Sequence, residues 1–157
     1  RLLPKIVASI KKGEKDLHLE YNPFVKADEH FIQHATRAYE KGLDSDIKHK
    51  VTQIGIHRED ISMIYKGNDI STHGSQGENR IAVIALKLAP YFLIEDKAKK
   101  PIIILDDVMS ELDKEVKANL TKFLKKLEQV FVTSTEINIT NASVYEVTKA
   151  KITRRNA

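Results

Sequence analysis

Residues 101–113 read Pro-Ile-Ile-Ile-Leu-Asp-Asp-Val-Met-Ser-Glu-Leu-Asp, and this stretch limits the fold more than any other. Four branched apolar residues, Ile102, Ile103, Ile104 and Leu105, run without a break. A short continuous apolar run predicts a strand buried on both faces. Two carboxylates, Asp106 and Asp107, stand where that strand should end. In open α/β sheets, ligands bind beyond the carboxyl ends of the strands. Adjacent side chains on a strand point to opposite faces. One Asp can therefore reach a metal ion while the other faces a different part of a site. A strand that ends in a polar turn, with Asp as an ordinary helix cap, explains the same residues. On this stretch alone the two readings are level.

The rest of the composition narrows the class. A chain of 157 residues fits one domain with a sizeable core. Lys and Arg exceed Asp and Glu by 26 − 22 = 4, and the pI is near 9.1, which favours anionic partners only weakly. There is no Cys, so disulfides and thiolate metal sites are excluded. No apolar run is long enough to span a bilayer and no secretory signal is visible, so no membrane partner and a cytoplasmic location are expected. The chain begins at Arg1 inside a helical pattern, and is expected to be a piece of a longer protein.

Along the chain, Leu2, Leu3, Ile6, Val7 and Ile10 fall at helical spacing, with Gly13 as the stop. Leu17, Leu19 and Tyr21 alternate with polar residues and predict a half-buried strand, broken at Asn22-Pro23. Phe31, Ile32, Ala35, Ala38 and Tyr39 form the stripe of a helix over 28–41, ended by Gly42. His30 and His34 lie one turn apart on it, a metal-capable spacing without a third ligand, and read as a solvated face. A strand is predicted over 51–56, leading into the charged cluster His57-Arg58-Glu59-Asp60. A hairpin is predicted from 61–65 and 69–72, turning at Gly67-Asn68. A polar, glycine-bearing loop over 72–80 then feeds a helical run from Ile81 to Ile94, which Pro90 should kink or split. After the central strand, Leu112, Val116, Leu120, Phe123, Leu124 and Leu127 mark a helix. Residues 129–135 predict another buried strand, 143–147 a short one, and the basic tail either a frayed terminus or a phosphate-contacting arm.

The loop from Gly74 to Arg80 has its own logic. Glycine lets backbone approach a ligand, and the first amides of the following helix are unpaired and favour negative charge. Ser75 adds a hydroxyl donor. Such a loop suits a terminal phosphate, although a plain capped loop looks similar. The order of parts is more specific. A glycine loop opens a helix; a buried strand follows with two Asp; Ser110-Glu111-Leu112-Asp113 comes next, then a strand ending in Thr-Ser-Thr. This order resembles the second half of an ABC-type ATPase head, with its signature motif, Walker B strand, D-loop and switch strand. In detail the chain resembles the RecF family of bacterial DNA-repair ATPases, in the group related to the chromosome-maintenance (SMC) proteins. Four segments carry the resemblance: Gly-Ile-His-Arg-Glu-Asp at 55–60, Gly-Ser-Gln-Gly-Glu-Asn-Arg at 74–80, Ala-Leu-Lys-Leu-Ala at 85–89 and Ile-Leu-Asp-Asp-Val-Met-Ser-Glu-Leu-Asp at 104–113. Val-Phe-Val-Thr-Ser-Thr at 130–135 agrees with them.

The resemblance implies an α/β fold over 1–157. It would be part of an ABC-type head whose central, mostly parallel sheet is flanked by helices. It implies ATP and Mg²⁺ as cofactors. Asp106 would hold the metal and Asp107 would position the attacking water. Ser75, Gln76, Gly77 and Glu78 would form the loop that meets the γ-phosphate held by the other subunit. Ser110 and Asp113 would belong to the loop that crosses the dimer interface, and Thr135 to the switch position. The implied partners are double-stranded DNA at single-strand gap junctions, a second copy when ATP is bound, and mediators of the RecR and RecO type. The implied role is repair and replication through assisted recombinase loading. Three departures stand out. Glu78 replaces the usual Gln and needs a compensating cation, Arg80 or another. Ile56 replaces the expected Pro, and Pro90 lies in a helix the family leaves unbroken. No Gly-x-x-x-x-Gly-Lys-Ser/Thr loop occurs, so this chain alone is not expected to hydrolyse ATP. A non-hydrolysing assembly module of ABC shape, or another SMC-like head, are the alternatives.

Overall fold

The computed structural model describes residues 1–135 and 141–155. Helix α1 (Leu3–Ile10) carries Pro4 in its first turn, where a missing N–H costs nothing, and buries Leu3, Ile6, Val7 and Ile10. It packs against both α4 (Gln76–Leu93) and α5 (Lys114–Leu124). From α4 come Ile81, Ala82, Ile84, Ala85, Leu88 and Tyr91; from α5, Val116, Leu120, Phe123 and Leu124. One apolar cluster contains all of these together with Ile103, Leu105, Val108, Met109 and Leu112.

Among the described residues, three small sheets accompany the helices. Strand β1 (Leu17–Asn22) pairs antiparallel with β2 (Asp60–Tyr65), and β2 with the two-residue β3 (Asn68–Asp69). Strand β4 (Ile103–Leu105) pairs in parallel with β5 (Val130–Val132), Leu105 opposite Val132. Strands β6 (Val144–Thr148) and β7 (Lys151–Arg155) form a separate antiparallel ribbon. The chain is thus α/β, and among the described residues its parallel part consists of β4 and β5.

Several expectations are corrected. The central strand is not buried on both faces: Ile103 and Leu105 face the core, while Ile104 is 71% exposed. Phe131, paired with Ile104 on β5, is exposed beside it, so one face of this sheet has no layer over it among the described residues. In β1, only Leu17 is buried. Helix α2 (Phe31–His49) starts later than predicted and runs through Gly42, ending at Lys50 in a left-handed conformation. None of its residues is buried; Phe31 and Tyr39 of its apolar stripe pack on Phe24, and Gly42 lies beside Ile54.

Residues 51–55 form no strand. The Gln53 amide donates to the Asp46 carboxylate at 2.9 Å, and Gly55 turns with φ of 127° into a 3₁₀ turn at Ile56–Arg58. A side chain at Gly55 would also meet the Tyr39 hydroxyl at 2.7 Å. The predicted hairpin turns at Lys66 and Gly67, both with left-handed φ, one residue earlier than expected. Its second strand is cut short because Asp69 caps the short helix α3 (Ile70–His73). Helix α4 is not split at Pro90, which lies close to its end. Lys100 donates to the Tyr91 carbonyl at 2.8 Å and to that of Ile94, satisfying acceptors the helix end leaves open. The basic tail is the ordered strand β7 up to Arg155.

Truncation tests this layout. Leu120→Ala, at a fully buried position, is expected to lower stability by about 2–5 kcal/mol. Ile104→Ala is expected to change it by no more than about 0.5 kcal/mol in the same chain. Denaturant titration of both variants makes the comparison.

Candidate functional site

The parallel pairing of β4 with β5 sets the acidic pair. Because Leu105 lies opposite Val132, the next residues out are Asp106 and Thr133. The Thr133 amide donates to the Leu105 carbonyl at 2.9 Å, extending the ladder by one bond. The Thr133 hydroxyl then donates to an Asp106 carboxylate oxygen and accepts from the Asp107 amide at 3.0 Å. Both Asp side chains are exposed at the carboxyl end of the strand. Asp107 adopts φ of 46°, a left-handed conformation that Asp tolerates better than most residues. This turn takes the chain sharply off the strand.

The loop that follows is fastened to the start of α4. Arg80 donates through one guanidinium nitrogen to the Asp107 carbonyl, and through the other to the Glu111 carboxylate at 2.8 Å. The Ser110 hydroxyl donates to the same Asp107 carbonyl at 3.0 Å. Glu111 is itself left-handed, with φ of 64°. Its carbonyl would lie 3.6 Å from a Cβ at Gly77, so the loop and the first turn of α4 are in van der Waals range. Asp113 ends the loop as the N-cap of α5, accepting from the Val116 amide at 2.8 Å.

The N-terminus of α4 is built as a capping box. Ser75 accepts from the Glu78 amide at 3.3 Å. Glu78 accepts in return from the Ser75 amide and the Ser75 hydroxyl, each at 3.0 Å. Ser75 and Gln76 are exposed, and Gly77 is partly so. Gly74 has to be glycine, because a Cβ there would sit 2.5 Å from the Ile70 carbonyl oxygen. Asn79 donates to the Gly74 and Ser75 carbonyls, both at 3.1 Å, and fixes the approach to the helix.

The cation that compensates Glu78 is Lys11, from the end of α1, at 3.3 Å. Arg80 is engaged with the loop after β4 instead. The Ser75 backbone and hydroxyl donors, then Lys11, hold the Glu78 carboxyl below the usual carboxylate range. Burial works against the charge on Lys11, but Glu78 and Tyr65 together raise its pKa. Tyr65 lies under both Lys11 and Lys66, with the ammonium groups 5.8 and 5.0 Å from the ring centre.

The structure therefore brings Asp106, Asp107 and Ser110 together with Arg80, and places Gly77 against the same loop. Asp113 stands at its far end. Thr135 lies two residues beyond Thr133 and is exposed; the contact with Asp106 is made by Thr133. Thr133 and Lys11 were not singled out from sequence. The register of two short apolar runs, Ile-Ile-Leu-Asp and Val-Phe-Val-Thr, contains the signal for Thr133. Nothing local marks Lys11. The His57 ring donates from Nε2 to the Thr52 carbonyl, 3.0 Å away, and steadies the turn after α2. Among the described residues, no group of three or more His, Asp or Glu is arranged to hold a metal. No described helix is long and apolar enough to cross a membrane.

No protein-family model matches the chain. It is 34% identical over 150 residues to the DNA replication and repair protein RecF of Geobacillus thermodenitrificans, covering 88% of this chain and 40% of that protein. It is 32% identical over 166 aligned positions to the RecF of Natranaerobius thermophilus, covering 98% and 43%. A solved structure of the recombination mediator protein RecF with ATP, from the RecFOR pathway, matches with a TM-score of 0.70 and 27% identity. That match covers 99% of this chain and 43% of the other. The chain spans about two-fifths of the length of the curated relatives it matches.

The capping box predicts a pH signature. Because the Glu78 carboxyl is lowered from its ordinary 4.5, its contribution to stability is present above that value. It is lost as pH falls through the lowered value. Glu78→Gln keeps the box and removes the titration. The fall of the thermal midpoint with acid should therefore be shallower in Glu78→Gln than in the wild type, measured by circular dichroism at a series of pH values. Ser75→Ala, which loses the cap itself, should cost about 1 kcal/mol at neutral pH.

Proposed function

This chain is a homologue of the C-terminal part of RecF, and from that premise we propose that it supplies the signature loop, Walker B strand and D-loop of an ATP-driven DNA-repair head. In the full-length protein, ATP joins two heads over duplex DNA at single-strand gaps. The joined heads assist recombinase loading together with mediators of the RecR and RecO type. The observation that carries this reading is the fastening of the acidic turn after β4 to the first turn of α4 through Arg80. It makes the acidic pair and the glycine loop one rigid unit with two exposed ends.

The donor set suits the implied cofactors. Asp106 and the Thr133 hydroxyl present hard oxygen ligands, the kind Mg²⁺ takes alongside water and phosphate. Asp106 would hold the ion, which supplies charge neutralisation at the phosphates when bound. Asp107 would orient the attacking water and accept its proton. Ser75 and the Gln76 and Gly77 amides would meet the γ-phosphate held by the second copy, where a helix N-terminus favours an anion. Ser110 and Asp113 would form the crossing loop between copies, and Thr135 the switch position.

A second reading, a non-hydrolysing assembly module, is favoured by one feature. The Glu78 carboxylate already occupies the Ser75 amide and hydroxyl, two of the donors a phosphate would use. Turnover of Mg²⁺-ATP by the full-length protein decides between the two.

The sharper test is Asp107→Asn in the full-length protein. Phosphate release is expected to fall by about 10²-fold or more, the usual worth of a positioned base. ATP-dependent dimerisation, followed by analytical ultracentrifugation, is expected to persist. Turnover at the wild-type rate would remove Asp107 from the mechanism.

A further inference from the structure

Lys11 stands just past the end of α1, and its ammonium group meets the Glu78 carboxylate at 3.3 Å. Its surroundings direct it there. Glu14, the other carboxylate near Lys11, lies at 3.9 Å and is held more closely by Lys66, at 3.0 Å. The buried ring of Tyr65 supports both ammonium groups. Two lysines and two glutamates thus share one aromatic face, with a summed charge of 2 − 2 = 0.

This pair differs from those on the open surface. The side chains of Lys11 and Glu78 are 32% and 25% exposed, against 74% and 71% for Lys12 and Glu115 next to them in the chain and the fold. Val7, Leu17, Ile81 and Ala82 wall the space beside Lys11 and Glu78. Exposed pairs are screened and contribute little. A half-buried pair keeps more of its field.

The place of the carboxylate decides what that field does. Glu78 lies 3.0 Å from both the Ser75 amide and the Ser75 hydroxyl, at the start of α4. A phosphate brought to this loop lands beside a full negative charge. The start of a helix offers about half a positive charge in return, too little to reverse the sign. Adding Lys11 reverses it.

We propose that Lys11 is a positioning residue for the ATP-driven joining of two heads. It neutralises Glu78, and so lets a loop with a carboxylate in it accept the γ-phosphate held by the second copy. Lys11 acts through Glu78 and not on the phosphate itself. The inference rests on the ATPase-head reading above and adds to it the residue that makes Glu78 compatible with polyphosphate.

The test is a double-mutant cycle in the full-length protein. Dimer dissociation is measured by analytical ultracentrifugation with Mg²⁺ and a slowly hydrolysed ATP analogue. Lys11→Met keeps the aliphatic stem over Tyr65 and removes the charge. It is expected to weaken the dimer by about 10-fold or more when residue 78 is Glu. In the Glu78→Gln background the same substitution is expected to change it by less than about 2-fold. Lys11→Arg is expected to join as the wild type does, and so is Lys12→Met, which breaks only the exposed pair. Circular dichroism verifies that each variant keeps its fold. An equal loss from Lys11→Met in both backgrounds would make Lys11 merely structural and overturn the assignment. So would an equal loss in Lys12→Met, or no loss in Lys11→Met, and in each of these cases the ATPase-head reading stands. If the wild type does not dimerise with the analogue, that reading and the assignment fall together.

Discussion

The Thr133 hydroxyl donates to the carboxylate of Asp106 and accepts from the amide of Asp107. One oxygen thus ties the side chain of the first acidic residue and the backbone of the second to the neighbouring strand. Without it, two short strands joined by three residue pairs would end in a loose acidic turn. With it, the turn has a fixed direction, and Asp107 can adopt its left-handed conformation while its carbonyl faces Arg80. Everything downstream, including the loop from Val108 to Asp113, inherits its position from that point.

The second determinant is the exchange of partners among charges. The sequence leaves Arg80 or another cation to compensate Glu78. In the structure Arg80 reaches the loop after β4, and Lys11 from the end of α1 takes its place. The result is two separate links, α1 to the helix start and the helix start to the acidic loop. A carboxylate at 78 is therefore not an isolated defect in an anion site. It is half of a cap and half of an ion pair, and its charge is accounted for within the chain.

The parts of the fold readable in sequence are those governed by local rules. The helical spacing over 3–10, the capping Ser75 with Glu78 three residues on, and the Asp113 cap all act within one or two turns, so their signals sit side by side. The order of glycine loop, apolar strand and acidic pair was readable for the same reason. What could not be read depends on distant partners. Whether Ile104 is covered depends on what packs over the sheet, not on its neighbours in sequence. Gly42 reads as a stop signal, yet α2 passes through it, and a side chain there would only come into ordinary contact with Ile54 at 3.5 Å. The pattern over 51–56 reads as a strand, but the Gln53 amide is tied to the Asp46 carboxylate and Ile56 opens a 3₁₀ turn. Lys11 is 67 positions from Glu78, and no pattern of spacing points from one to the other.

Helix α2 has nineteen residues and buries none of them. Its hold on its surroundings includes two ring contacts with Phe24, a touch at Ile54, the His34–Asp28 pair and a few polar bonds around Gln53. The cluster of α1, α4 and α5 shares little of that fabric. A molecule arranged this way has two free energies of opening, a small one for the outlying helix and a larger one for the centre. Backbone protons would leave the first long before the second, and a protease would find its first cut in the same segment.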